Sequence, residues 1–229
     1  MLQEVVTTDQ LDWLKLPPAA PGQGHGLPAG FEAYLKLLLP IGIDRSIPLE
    51  EYSPKRSTVA EMNARAAFWR KYNIGGPSKT DAKLTPIKYS ELATIWGVPY
   101  DKDFTPERIT KAYGEWPPNL RESDKLNKQF IQFLTQALGS STPTYFSGTV
   151  DNGDYHWMGG FPADWLELGT AADLTQIYQR DEQFPGNVFD TKHTWCLSHT
   201  EFNDYLVLGC PAAIAHELSS HSAIESFYL

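Results

Sequence analysis

The fold class is indicated by a tract near the end of the chain, which reads His193-Thr194-Trp195-Cys196-Leu197-Ser198-His199-Thr200 and, after a short polar break, Tyr205-Leu206-Val207-Leu208-Gly209. The first run alternates between two sets of side chains and the second is rich in aliphatic residues, and both patterns are typical of strands. In the first run His193, Trp195, Leu197 and His199 would share one face. The tract therefore predicts two consecutive strands.

Strand patterns also flank this tract. They occur upstream at residues 144–150, 155–158 and 165–168, and downstream at residues 223–229, with turn signals between them. A helix that begins at Pro211 precedes the last strand. An earlier apolar run, Phe31 to Leu39, fits both a period of two and a helix. We favour a strand there because Pro40 ends the run.

The first half of the chain carries the helix signals. Thr58 and Glu61 form a capping-box pair, with an apolar stripe at Val59, Met62, Ala66 and Trp69. Residues 89–96 and 126–138 predict two more helices, and another begins at Thr105-Pro106-Glu107. This order indicates an α+β fold, in which a helical N-terminal half packs against a mainly antiparallel sheet from the C-terminal half. We expect a single domain over residues 1–229, with residues 1–29 forming a mostly irregular arm.

Composition places the chain among globular proteins. Of its 229 residues, 41% are hydrophobic and 13% aromatic, which excludes disorder over the whole length. The first six residues do not resemble a secretory signal, and the longest apolar stretch, residues 37–43, is broken by Pro40. Two cysteines are too few for a disulfide framework. We therefore expect a cytoplasmic protein in which the thiols of Cys196 and Cys210 are reduced.

Charge is unevenly spread along the chain. The net charge is −9, but residues 51–90 carry eight Lys or Arg against three acids, whereas residues 139–229 carry twelve acids against Arg180 and Lys192. A field of this sign repels nucleic acid and anionic membranes, and it accelerates encounter with a basic protein. The charge pattern therefore predicts a basic protein partner, with no nucleic acid and no membrane among the binding partners.

The histidines near the C-terminus do not have the spacing of a zinc site. His216 and His221 are five residues apart, whereas a zinc-protease helix places two histidines four apart so that both face the metal. The glycines before Lys79-Thr80 also lack the spacing of a phosphate-binding loop. We expect no metal site and no cofactor.

Catalytic residues could instead be dispersed along the chain. The titratable candidates are His156, His193, Cys196 and His199, which would suit a hydrolase or a transferase. Cys196 falls on the opposite face of its strand from both adjacent histidines, so it would need a distant base such as His156. A buried structural cysteine is the competing interpretation. No residue is assigned a catalytic role from the sequence.

Aromatic and acidic residues alternate in the strand-rich region. Tryptophan and tyrosine are frequent anchors of protein interfaces, and carboxylates would attract a basic partner. The predicted partner-binding residues are Asp151, Asp154, Trp157, Asp164 and Glu167.

Several short blocks resemble an uncharacterised family of bacterial proteins. They are residues 30–34, 89–93, 142–145, 184–186, 193–197 and 205–209. A fainter similarity runs to the immunity proteins that neutralise bacterial toxins, a group rich in small acidic α+β domains. The resemblance implies a non-enzymatic protein that binds and neutralises a cognate toxin, and it carries no catalytic residue with it.

Overall fold

The protein has an α+β fold. The computed structural model describes residues 2–5, 9–15, 27–74, 83–150, 163–199 and 204–229. The strands are β1 (Gln3–Glu4), β2 (Ala33–Leu38), β3 (Ile41–Asp44), β4 (Leu84–Ile87), β5 (Leu120–Arg121), β6 (Pro143–Val150), β7 (Ala163–Thr170), β8 (Asn187–Asp190), β9 (Cys196–His199), β10 (Tyr205–Cys210) and β11 (Glu225–Tyr228). The helices are α1 (Val59–Lys71), α2 (Tyr89–Trp96), α3 (Glu107–Tyr113), α4 (Asp124–Ala137), α5 (Leu174–Asp181) and α6 (Ala212–Ser220), and short 3-10 helices form at Asp9–Lys15, Leu49–Glu51 and Ala171–Asp173.

The chain divides into two compact units. The large unit comprises Met1–Leu38 and Phe130–Leu229, and the small unit comprises Leu39–Gln129. In the large unit eight strands form one sheet in the order β1-β7-β6-β8-β9-β10-β2-β11, and every neighbouring pair is antiparallel. The antiparallel sheet predicted from the sequence is therefore present, and it includes β1 and β2 from the N-terminal part of the chain.

One row of side chains crosses the whole large sheet. Its members, one from each strand, are Glu4, Glu167, Phe146, Val188, Leu197, Leu208, Leu35 and Tyr228. The five apolar residues from Phe146 to Leu35 are at most 2% exposed, and burial of each contributes about 2 kcal/mol. Because residues paired across a ladder lie on one face, this row defines the helix-covered face of the sheet. Phe184 links that face to the helices, since its ring contacts Phe130 of α4, Tyr178 of α5 and His199 of β9.

The opposite face carries a second cluster, which includes part of the N-terminal arm. Phe189, Cys196 and Val207 from three adjacent strands are buried there, and Trp13 from the first 3-10 helix packs against them. Phe31 fits over β10 because residue 209 is glycine: a Cβ at Gly209 would lie 2.3 Å from the Phe31 ring. The described part of residues 1–29 therefore contributes a short strand, a 3-10 helix and core side chains.

In the small unit, three strands in the order β4-β3-β5 accompany α1, α2 and α3. The capping box predicted at Thr58 is confirmed, because its side chain accepts from the Glu61 amide while Glu61 accepts from the Thr58 amide. The apolar stripe was assigned to the wrong face of this helix. Val59 and Met62 are 69% and 49% exposed, and Phe68 is the buried residue of α1.

Most predicted elements of the strand-rich region are confirmed, but one boundary was wrong. The strand expected at residues 193–200 begins only at Cys196, because His193 adopts a left-handed conformation with φ of 55°. His193 therefore does not share a strand face with Trp195, Leu197 and His199. The strand predicted at residues 155–158 lies outside the described residues. Among the described residues, no helix has the length and apolar character needed to cross a membrane.

Candidate functional site

The predicted partner-binding residues are only partly covered by the structure. Asp151, Asp154 and Trp157 lie outside the described residues. Asp164 belongs to β7, where its backbone pairs with Thr149, and its side chain is not described. Glu167 lies three residues further along the same strand, on the helix-covered face of the sheet. It is the one predicted residue whose side-chain environment can be described.

Glu167 is engaged by a single arginine. Arg180 of α5 donates from Nη1 to Glu167 Oε1 at 2.7 Å and also forms two hydrogen bonds with the neighbouring Asp181. The same guanidinium lies 5.4 Å from the centroid of the Trp165 ring, which is two residues before Glu167 on β7. Hydrogen bonds to Asp181 and Glu167 raise the pKa of Arg180 above its already high value, so this side chain remains charged. One cation thus serves two carboxylates, and the group retains a net charge of −1.

The uneven charge of the sequence is divided between the two units. The large unit contains sixteen acids and four Lys or Arg, a net charge of −12, and the small unit contains twelve acids and fifteen Lys or Arg, a net charge of +3. Together these give the −9 of the whole chain. The negative field therefore originates in the large unit alone. Four of its acids come from the N-terminal part of the chain, namely Glu4, Asp9, Asp12 and Glu32.

Some acids of the large unit have a structural role. Asp190 is 3% exposed and accepts hydrogen bonds from the amides of Lys192, Thr194 and Trp195. This carboxylate organises the turn between β8 and β9 and delays the start of β9. By contrast, Glu182 after α5 and Glu217 on α6 are exposed. Exposed acids such as Glu182 and Glu217 therefore produce the negative field at the surface.

The two cysteines are poor candidates for nucleophiles. Cys196 is fully buried among Phe189, Val207 and Leu27, and burial raises the pKa of its thiol far above the ordinary value. Burial likewise raises the pKa of the Cys210 thiol to about 12. Because the thiolate is the reactive form, both side chains are inert at neutral pH. This environment favours the interpretation of Cys196 as a structural residue.

The histidines proposed for a dispersed active site lie in different surroundings. His193 stacks on the Trp13 ring, with centroids 4.2 Å apart and planes 11° from parallel. His199, on β9, contacts Phe184 on the helix-covered face, whereas Cys196 belongs to the opposite face. His156 lies outside the described residues. The structure thus does not bring Cys196 together with His193 or His199 as a nucleophile and base pair.

The histidines near the C-terminus are also separated. His216 is exposed on α6, whereas His221 follows the helix and packs on the Phe133 ring at 4.3 Å. Nδ1 of His221 accepts a hydrogen bond from the Ala223 amide. In the part of the chain that the structure describes, no group of three or more His, Cys, Asp or Glu side chains could hold a metal ion.

The small unit contains a polar cluster that the sequence did not reveal. Glu115 is 8% exposed and accepts hydrogen bonds from the Tyr52 hydroxyl and from Arg65, and Arg56 forms an ion pair with it at 3.4 Å. The Trp69 indole donates to the Tyr52 oxygen, and the Arg65 guanidinium stacks 4.4 Å over the Trp69 ring. The contact between Arg65 and Glu115 joins α1 to a residue 50 positions away in the chain. The cluster fixes the orientation of α1 and explains why Val59 and Met62 face outward.

Comparisons with known proteins supply no relative. No family model matches the chain, and neither the curated proteins nor the solved structures give a significant match.

Proposed function

We propose that this chain is a non-enzymatic acidic binding protein, most concretely a bacterial immunity protein that binds and neutralises a cognate toxin. The observation that carries the proposal is the net charge of −12 on the large unit, compared with +3 on the small unit. Opposite fields steer two proteins together and raise the association rate, and inhibitors of basic toxins exploit this effect. The partner is proposed to be a basic protein, and neither nucleic acid nor an anionic membrane suits a field of this sign.

The proposed contact surface is centred on Asp151, Asp154, Trp157, Asp164 and Glu167. Within this set Glu167 has the smallest part in attraction, because Arg180 already compensates its charge at 2.7 Å and its side chain is 19% exposed. The acids of the preceding segment, Asp151 and Asp154, therefore carry most of the proposed electrostatic attraction. Trp157 is the proposed aromatic anchor, since tryptophan is enriched among residues that dominate binding energy.

What opposes the alternative of a hydrolase or transferase is the environment of Cys196. A buried thiol with a raised pKa is a weak nucleophile, and His193 is occupied by its stack on Trp13. The two cysteines, Cys196 and Cys210, support a cytoplasmic location, because both are free thiols in this fold. We propose that location together with the binding function.

We also propose that the chain folds as one cooperative domain, with the helical N-terminal half packed against the sheet. Urea unfolding followed by tryptophan fluorescence and by far-ultraviolet circular dichroism should then give coincident transitions. Two separated transitions would contradict the single-domain proposal without affecting the binding proposal.

The binding function is tested by affinity capture from the native bacterium, followed by kinetics with the purified captured protein. We expect a basic protein whose association rate falls by at least tenfold between 0.05 M and 0.5 M salt, since the Debye length shortens from about 14 Å to about 4 Å over that range. An association rate independent of salt would contradict the proposal.

A further inference from the structure

In the described part of the chain, the last strand of the large sheet has one edge with no strand paired to it. β11 is the end member of the strand order and pairs with β2 alone among the described strands. The Leu229 amide donates to the Tyr34 carbonyl at 3.0 Å, which extends this pairing by one residue. In an antiparallel ladder, alternate residues direct their amide and carbonyl groups toward the same neighbour. Glu225, Phe227 and Leu229 therefore face β2.

Ser226 and Tyr228 consequently present their backbone groups on the outer side of β11. Two amides and two carbonyls lie in a row there, with the spacing that an added antiparallel or parallel strand requires. The other edge of the sheet is different, because β1 is only two residues long. β11 is four residues long and thus offers a longer template for an added strand than β1 does.

Natural proteins usually protect such an edge with lysine, proline or a bulge. Residues 225–229 read Glu-Ser-Phe-Tyr-Leu, with neither lysine nor proline. Tyr228 is 52% exposed, and its hydroxyl lies 3.3 Å from Ser219 Oγ on α6, so the ring is held beside the edge. A held aromatic ring can pack against the side chains of an incoming strand.

The charge of the large unit indicates what kind of strand this edge would accept. The last 37 residues, 193–229, contain four acids and no lysine or arginine. Lys36, on the neighbouring strand, is 4% exposed, and its Nζ lies 4.8 Å from the centroid of the Tyr205 ring. The ammonium group of Lys36 is therefore buried against the face of the sheet. A basic strand would be attracted by a unit of net charge −12.

We propose that β11 is a docking edge at which an extended basic segment of a protein partner adds as a ninth strand of the large sheet. The inference rests on the proposed binding of a basic protein and specifies how that partner binds. Main-chain hydrogen bonds from Ser226 and Tyr228 provide affinity, and the field of the large unit selects basic segments.

The test uses the full chain and a synthetic peptide of alternating lysine and valine, with a fully N-methylated peptide of the same sequence as the charge-matched control. We expect the unmethylated peptide to bind at least tenfold more tightly, because N-methyl groups remove the donors and block strand pairing. The amides of Ser226 and Tyr228 should gain protection from hydrogen exchange in the complex. Equal binding of both peptides, or no binding of either, would overturn the docking edge.

A pair of variants tests the same edge from the protein side. Ser226→Pro removes an outward amide and leaves the β2 ladder intact, whereas Ser226→Ala keeps that amide. We expect the proline variant to bind the unmethylated peptide at least tenfold more weakly and the alanine variant to bind it unchanged. Equal affinities of the two variants would overturn the inference, as would a dimer of the free protein that Ser226→Pro dissociates, because a second copy would then occupy the edge.

The two proposals fail in different ways. If both peptides bind equally and both lose affinity with salt, the acidic binding function stands and the docking edge falls. If peptide binding does not depend on salt, the acidic binding function itself is contradicted.

Discussion

Glu4 and Glu167 lie directly opposite each other in the β1–β7 pair, and Arg180 is the cation that contacts Glu167. Like charges at paired positions of a ladder destabilise a sheet, so the ion pair at 2.7 Å offsets a repulsion built into the edge. The first strand of the chain is therefore held beside β7 partly by a residue from α5.

Replacing Arg180 should accordingly weaken the large unit. We expect Arg180→Met to lower the free energy of unfolding by about 1 kcal/mol, a modest value because 46% of the arginine side chain is exposed. Urea denaturation at low salt measures this loss. Lys192→Met, which removes the other cation of residues 139–229, is the control and should cost under about 0.5 kcal/mol. Adding Glu167→Gln to Arg180→Met should recover part of the loss, and no recovery would contradict the role of the ion pair.

The orientation of α1 gives a second prediction. Phe68 is 7% exposed, whereas Met62 on the same helix is 49% exposed. We expect Phe68→Ala to cost about 3 to 4 kcal/mol and Met62→Ala to cost under about 0.5 kcal/mol, measured by urea denaturation. Similar losses for the two variants would contradict an α1 that buries Phe68 and exposes Met62.

Glu115 supports a third prediction. Its carboxylate joins Tyr52, Arg65 and Arg56, so Glu115→Ala would leave a partly buried arginine without its partner. We expect a loss of about 2 to 3 kcal/mol in the free energy of unfolding. Glu107→Ala, at an exposed ion pair with Lys111, is the matched control, with an expected loss under about 0.5 kcal/mol. A loss at Glu115 no larger than at Glu107 would contradict the structural role of the cluster.

Alkaline pH should destabilise the folded protein. Burial raises the pKa of the thiols of Cys196 and Cys210 and raises the pKa of Tyr113 to about 12. The unfolded chain loses these protons at lower pH than the folded chain does, so stability is full below about pH 8.5 and falls as pH rises toward 12. Urea denaturation at several values from pH 8 to 11 measures the slope. Cys196→Ala should flatten it, and an unchanged slope would contradict the burial of a protonated thiol at this position.

The sequence supported the local features of the fold well. The capping box at Thr58 and Glu61 marked the start of α1, and Pro40 correctly separated a strand from a helix at β2, because both signals depend on residues near each other in the chain. The left-handed residue His193 was missed, although Asp190 four residues before Thr194 is a turn signal that could have shortened β9. The features that were predicted correctly are thus those that depend on residues close together in the chain.

Features that depend on distant residues could not be predicted in this way. Two faces of α1 have some apolar character, and the choice between them is made by Tyr52 and Glu115, which contact Arg65 from outside the helix. The pairing of β1 with β7 likewise joins residues more than 160 positions apart, such as Gln3 and Leu168. For the candidate site, the sequence identified the acidic region but could not identify Arg180 as the partner of Glu167.

The central claim is that the large unit attracts a basic protein through its acidic surface, and charge reversal with a matched control tests it most directly. The variant Asp151→Lys with Asp154→Lys is compared with Glu91→Lys and Asp103→Lys, two exposed acids of the small unit, so that both proteins change by the same net charge. The measurement is the association rate with the captured basic partner at 0.05 M salt. We predict that reversal in the large unit slows association at least tenfold and that reversal in the small unit slows it less than threefold. Equal association rates for the two variants would contradict the account.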